Sequence, residues 1–248
     1  MTELAIIGGT GLTSLKNLDI TKREVVHTPF GEPSGPLTHG VLSGKEVVFL
    51  ARHGYGQTIP PHMINYRANI WALHNTGVKK VIAVAAVGGI ADDLPPGVLA
   101  IPDQIIDYTA SRENTFFADG LSHVVHIDFT EPYSEELRQL LIRACAATEQ
   151  DFVPHGVYGA TQGPRLETAA EIERMARDGC TMVGMTGMPE AALARELELC
   201  YATCAVVANK AAGRGAGPIS MHEIEQSVVQ GMEKVRVVLE HVMPMLSY

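Results

Sequence analysis

Four stretches of this chain end an apolar run in small residues and then present groups that can hold an anion. The first is Ile6-Ile7-Gly8-Gly9-Thr10-Gly11-Leu12. A glycine-rich turn there lets backbone N–H groups approach an oxyanion, and the Thr10 hydroxyl is a further donor. The second is Arg52-His53-Gly54, which follows Val47-Val48-Phe49-Leu50-Ala51. A guanidinium offers a forked donor set to phosphate, and an imidazole can donate one more bond. The third, Ala85-Ala86-Val87-Gly88-Gly89, again ends in glycines; the fourth places Thr186 after Met182-Val183-Gly184-Met185. Singly, each has a plain alternative, a tight turn or a solvated surface pair. Together, Thr10, Arg52, His53 and Thr186 at successive strand ends describe an anion site with neither a Walker lysine nor a metal-ligand cluster. A dinucleotide fold is rejected, because Ser14 stands where the third glycine belongs and Ala51-Arg52-His53 replaces the acid closing the second strand.

Two further polar residues suit a heterocycle. Thr161-Gln162-Gly163-Pro164-Arg165-Leu166-Glu167-Thr168 reads as a turn feeding a helix, with Glu167 near its first turn, where the dipole favours a carboxylate. Asn209, followed by Lys210, ends an apolar strand, and its amide can both donate and accept. The bland versions are helix N-terminal charge and a loop-starting asparagine. The ten histidines form no HxH or HExxH motif, and no GxSxG elbow supports a Ser/His/Asp hydrolase, so no metal or other cofactor is expected.

These residues need a scaffold. Short runs rich in Val, Ile and Ala at 4–9, 47–51, 81–89, 99–102, 156–161, 182–186 and 201–209 predict strands buried on both faces. Helical periodicity covers 62–76, 134–148, 168–178, 188–199 and 220–242. In the last of these Ser220 and Glu223 suit a capping box, and Ile224, Val228, Val235, Val238 and Leu239 form a stripe. The alternation predicts an α/β fold, a three-layer single domain with a central mixed sheet flanked by helices. Residues 107–133 are turn-rich and hold Arg112, His123 and His126; so long a connection reads as a functional loop or lid.

Composition excludes other classes. The 248 residues carry 19 Lys and Arg against 28 Asp and Glu, a net charge of −9, and are 46% hydrophobic. That is a globular composition, without the basic cluster that nucleic acid requires. No apolar run is long enough to span a membrane and no signal peptide is evident, so no membrane partner is expected. Four cysteines at 145, 180, 200 and 204 lack ligand spacing and read as reduced thiols of a cytoplasmic protein. Cys200 and Cys204 read as core residues sharing one face of a strand.

The set GGTGL (8–12), ARHG (51–54), PPHMINYRANIWAL (60–73), AVGGI (86–90), TQGPRLET (161–168), GMTGMPEAALARELELCYA (184–202) and ANK (208–210) resembles the trimeric purine nucleoside phosphorylase and methylthioadenosine phosphorylase family. It does so over essentially the whole chain and in matching order. The resemblance implies a phosphate site at Thr10, Arg52, His53 and Thr186. Ala85 stands where relatives often bring a hydroxyl, which shifts weight to backbone donors near Ala86. It places Met185 under the ribose, and His62 and Asn65 at the sugar end. Glu167 and Asn209 would read the base, with Lys210 and Ala211 beside them. Adenine-specific relatives carry aspartate at the position of Asn209, a second acid at Ala211 and a small hydroxyl residue at Glu167. Leu166 replaces an aromatic ring that packs on the base.

The chemistry agrees with a 6-oxopurine. Glu167 can accept from N1–H and Asn209 can donate to O6 or N7, whereas adenine turns an unprotonated N1 toward the carboxylate. The implied activity is phosphorolysis of a 6-oxopurine nucleoside, with inorganic phosphate as co-substrate, by a homotrimer in which His123 or His126 can complete a neighbour's site. At the 5′ end, Met221 and Ile224 suit a methylthio group and His222 suits a hydroxyl, the helix register deciding between them. Overall resemblance favours S-methyl-5′-thioinosine; the alternatives are a general inosine and guanosine phosphorylase and a non-catalytic nucleoside-binding protein.

Overall fold

A computed structural model describes residues 2–120 and 122–246. In chain order the elements begin with β1 (Leu4–Gly8), β2 (Asp19–Glu24), β3 (Leu37–Leu42), β4 (Lys45–Ala51), α1 (Tyr66–Asn75) and β5 (Lys80–Gly89). Next come β6 (Leu99–Ala100), β7 (Gln104–Asp107), α2 (Glu135–Ala147), β8 (Phe152–Val153), β9 (Val157–Ala160) and α3 (Ala169–Arg177). The chain closes with β10 (Met182–Gly184), α4 (Gly187–Glu196), β11 (Cys200–Lys210) and α5 (Met221–Val242). Among the described residues no helix is long and apolar enough to cross a membrane.

Alternation along β1 builds the layers, because successive side chains leave a strand on opposite faces. Leu4 and Ile6 pack with Leu137, Leu141, Val235 and Leu239 of α2 and α5, while Ala5 and Ile7 pack with Ile70, Leu73, Ala191 and Leu193 of α1 and α4. The result is the expected three-layer arrangement around a mixed, 11-stranded sheet. β5 organises it: parallel to β1 over Lys80–Ala83 and to β11 over its whole length, it then meets β10 antiparallel at Gly88 and Gly89. On its other side β5 is unpaired at Ala85–Val87, between the partners β1 and β10 and just past the carboxyl ends of β1 and β4, where open α/β sheets bind ligands.

Some elements differ from the sequence reading. β2 is exposed and polar, so no apolar signal marks it, and β7 and β8 are too short to show a period. The helix expected from 62 starts later, because Pro60-Pro61 allows only a 3₁₀ turn over Pro61–Met63 and Asn65 then caps α1 by accepting from the Ala68 N–H. Cys204 is core, but Cys200 at the strand's first position is half-buried. Ser220 caps α5 as expected, while the two-way capping box is made at α3 by Thr168 and Glu171. The described residues of the 107–133 segment are fastened down as a strap more than a lid. Thr115 and Phe116 bond the Glu196 carboxylate at 2.6 and 2.7 Å, the Phe116 ring meets Phe30 at 5.0 Å, and Arg195 donates to the Glu131 carbonyl.

Helix α5 approaches β11 through Gly231, where an added Cβ would lie 2.1 Å from Val206 Cγ1. Gly231→Ala gains roughly 1 kcal/mol of helix propensity, but overpacking a core contact costs about 1–3 kcal/mol. The variant is expected to unfold at lower urea concentration than the parent, with a net loss of about 1 kcal/mol; a higher midpoint would contradict this packing.

Candidate active site

Arg52 follows β4 directly and its side chain is 1% exposed. Its Nε donates to Glu190 Oε2 at 2.6 Å, Nη2 to Glu190 Oε1 at 2.7 Å and Nη1 to the Val84 carbonyl at 2.8 Å. Glu190, fully buried on α4, also accepts from the Tyr201 hydroxyl at 2.7 Å. Burial alone would lower the Arg52 pKa; the Glu190 carboxylate overrides it and raises it. A guanidinium has five N–H groups, so one remains on each terminal nitrogen. Gly9 leaves the room: an added Cβ would sit 2.3 Å from the Val84 oxygen and 3.1 Å from Arg52 Nη1.

His53 is buried, with Nδ1 at 2.8 Å from the Ile59 carbonyl. A carbonyl only accepts, so Nδ1 carries the proton. Burial, and next the Arg52 charge, hold the ring below its ordinary pKa. It is therefore neutral near pH 7, and Nε2 is an acceptor, the reverse of the donor expected from sequence. Thr186 is buried at the N-cap of α4, its N–H 3.4 Å from the Tyr158 hydroxyl.

The base-side groups arrive on two other elements. Glu167 lies one residue before the Thr168 cap, outside α3, and accepts from the Thr161 hydroxyl at 2.6 Å. The first-turn carboxylate of α3 is Glu171 instead, pushed down to about 2 by Arg165 and the Thr168 N–H. Asn209 follows a bulge in the β5–β11 ladder and pairs opposite Gly88. Bulges re-aim side chains, and here Asn209 Nδ2 bonds the Lys210 carbonyl at 2.7 Å.

One pocket gathers Thr10, Arg52, His53, Ala86, Glu167, Met185, Thr186, Asn209, Ala211 and Met221. Leu166, Ile219, Ile224 and Val228 also line it. Met221, Ile224 and Val228 share one face of α5, whereas His222 is exposed and bonds Gln226 at 3.0 Å. The helix register thus puts Met221, not His222, on the pocket wall. Lys210 points away, its ammonium on the Ala91 and Asp92 carbonyls, because successive strand residues face opposite sides. His62 is exposed on its 3₁₀ turn, and only the neighbouring Pro61 lines the pocket. Asn65 is occupied by the Ala68 N–H and the Phe30 carbonyl. His123 and His126 are exposed on the strap. No local pattern marks Glu190 or Arg112 for a role; Glu190 lies within GMTGMPEAALARELELCYA (184–202), but its pairing with Arg52 spans 138 positions.

The family model described as "Phosphorylase superfamily" matches residues 3–244. The chain belongs to the phosphorylase superfamily. It is 55% identical over 243 residues, 98% of this chain and 99% of the other, to the "Probable S-methyl-5'-thioinosine phosphorylase" of Pseudomonas syringae pv. tomato. It is 46% identical over 241 residues, covering 95% of this chain and 89% of the other, to the "6-oxopurine nucleoside phosphorylase" of Pyrococcus furiosus. Among solved structures, the methylthioadenosine phosphorylase from Schistosoma mansoni in complex with adenine is similar at a TM-score of 0.94. It is 31% identical, with 99% of this chain and 92% of that one covered.

Removing one partner of a buried pair strands a charge, at roughly 3–5 kcal/mol. Glu190→Gln is expected to destabilise the protein by that order in urea titration, and Arg52→Met/Glu190→Met by less than the sum of its single changes. Additive losses would contradict the coupling.

Proposed function

We propose that this pocket binds a 6-oxopurine nucleoside beside inorganic phosphate and catalyses phosphorolysis of the N-glycosidic bond, with S-methyl-5′-thioinosine as the preferred substrate. The observation that carries the reading is the meeting, in one pocket, of the Arg52 and Thr186 donors, the Glu167/Asn209 pair and the apolar face of α5.

In this reading Thr10, the two free N–H groups of Arg52, Thr186 and the backbone near Ala86 hold hydrogen phosphate. His53 Nε2 accepts a hydrogen bond from the phosphate O–H, which keeps its proton until the purine leaves. The C1′–N9 bond breaks as an oxocarbenium-like sugar forms, and the electron pair leaves with the purine. A phosphate oxygen bonds C1′ from the opposite face, and the phosphate proton ends on the purine, giving hypoxanthine and 5-methylthioribose 1-phosphate. Asn209 stabilises charge at O6/N7 of the leaving purine, and Glu167 accepts N1–H. Thr161 holds one Glu167 oxygen and leaves the other for the base. Met185 packs under the ribose. No cofactor takes part.

The 5′ group meets Met221, Ile224 and Val228. A methylthio group gains apolar burial there, whereas a hydroxyl would lose its water partners. The enzyme works as a cytoplasmic homotrimer: its four cysteines are free thiols, which suits a reducing compartment. Exposed Met63 and Val124, 66% and 70% accessible beside His62 and His123, are apolar surface for a neighbouring copy to cover.

The test is kcat/KM for S-methyl-5′-thioinosine, inosine and S-methyl-5′-thioadenosine, with and without phosphate. Base release is expected only with phosphate, and methylthioinosine should lead inosine by about a hundredfold, roughly 2.7 kcal/mol. Inosine matching it would make this a general 6-oxopurine phosphorylase; methylthioadenosine leading would overturn the base reading; no release would leave a binding protein. Asn209→Ala is expected to lose about a hundredfold in kcat/KM while the KM for phosphate holds. A rate within about threefold of the parent contradicts its role.

A further inference from the structure

The strap between β7 and α2 delivers one cation to which the proposed reaction assigns no part. The chain turns at Ser111, whose φ of 57° lies in the left-handed region, and carries Arg112 inward. Arg112 Nη1 donates to the Met185 and Met188 carbonyls at 2.8 and 2.6 Å, and to the Tyr66 hydroxyl at 3.2 Å. Nη2 donates to the Thr161 and Gln162 carbonyls at 3.2 and 2.8 Å, and Nε to Gln162 Oε1 at 3.1 Å. The guanidinium also lies 5.3 Å from the centre of the Tyr66 ring. Tyr66 spends its own proton on the Pro61 carbonyl at 2.8 Å, so its oxygen is free to accept.

None of these partners is a carboxylate. A half-buried guanidinium is satisfied instead by carbonyl oxygens from two segments that continue the paired strands β9 and β10 past their last ladder bond, the Thr161 N–H to the Gly184 carbonyl at 2.8 Å. One is Thr161-Gln162, whose Thr161 hydroxyl holds Glu167. The other is Met185–Met188, which carries the residue under the sugar and the buried Thr186. The planar fork bridges them, with Nη2 on the first and Nη1 on the second. A lysine at this place would present three donors from a single point and could not span both.

We infer that Arg112 is a positioning residue for base selection: it fixes the Thr161–Glu167 arm at a set distance from the Met185 turn, and so places the Glu167 carboxylate for a 6-oxopurine. The inference rests on the activity proposed above. The phosphate side has its own support, since Arg52 is held by Glu190 and Thr186 by Tyr158. Loosening Arg112 should therefore disturb base choice before anion binding. It also gives the strap a task, because Ala110 N–H shares Gln162 Oε1 with Arg112 and seats the strap on the same arm.

The experiment compares Arg112→Lys and Arg112→Met with the parent, as full chains, in two readouts. The first is the ratio of kcat/KM for S-methyl-5′-thioinosine over S-methyl-5′-thioadenosine, together with the KM for phosphate. Both variants are expected to lower the ratio about tenfold or more while the phosphate KM stays within about threefold. The second is backbone hydrogen exchange in the parent and both variants. It should quicken at 161–168 and 184–190 and stay unchanged in β1 and β5. A uniform loss of kcat at an unchanged ratio, a lysine variant equal to the parent, or faster exchange throughout would overturn the inference. If the parent shows no phosphorolysis, the activity proposed above fails by itself. The exchange pattern then still decides whether Arg112 ties the two arms.

Discussion

The bidentate pair of Arg52 and Glu190 is the constraint around which this pocket is built. Removing two charges from water costs several kcal/mol per ion, and only complete partnering offsets it. Here three of five guanidinium N–H groups are bonded within the protein, Glu190 takes a third donor from Tyr201, and the last two N–H groups face the pocket. Because Arg52 follows β4 and Glu190 stands on α4, the pair pins one wall of the pocket to another across the sheet. The arginine cannot follow a ligand, so a ligand must come to it. The glycine at position 9 is a consequence, since any side chain would strike the Val84 carbonyl that Arg52 also uses.

The base side follows a different logic. β5 and β11 run parallel throughout, and the irregularity at Val207/Asn209 re-aims the last residues of β11, whose alternation then sends neighbours to opposite sides. Asn209 stays on the pocket and Lys210 swings to the Ala91 and Asp92 carbonyls. Glu167 gains its freedom because Glu171 takes over the helix cap and the Arg165 pair. Beyond it, on the outer side, lies a wider cleft of about 630 Å³ holding Tyr108, Arg165, Glu171 and Arg174. Arg165 there is already paired with Glu171 at 2.7 Å.

Much of this was legible in the sequence, and the rest failed for physical reasons. The strand ends carrying Thr10, Arg52, Ala86 and Thr186 are marked by apolar runs closing in small residues, a local signal that survives without neighbours. Polar β2 has no such signal; it forms because β3 offers it a ladder. His62, Lys210 and His222 sit one position away from pocket-lining Pro61, Asn209 and Met221. At that resolution spacing is blind: a bulge or 100° of helix turn separates a wall residue from a solvated one. The roles of Glu190 and Arg112 depend on partners 138 and up to 76 positions away, and no local pattern carries them.

The most direct measurement is a crystal structure of the protein grown with hypoxanthine and phosphate. Phosphate should lie within hydrogen-bond reach of Thr10, Thr186 and the two unused N–H groups of Arg52, without breaking the Glu190 pair. The purine should sit between Glu167 and Asn209, its sugar edge turned toward Met185 and Met221. Hypoxanthine bound instead in the cleft beside Arg165 and Glu171, or phosphate held away from Arg52, would contradict the single two-sided site.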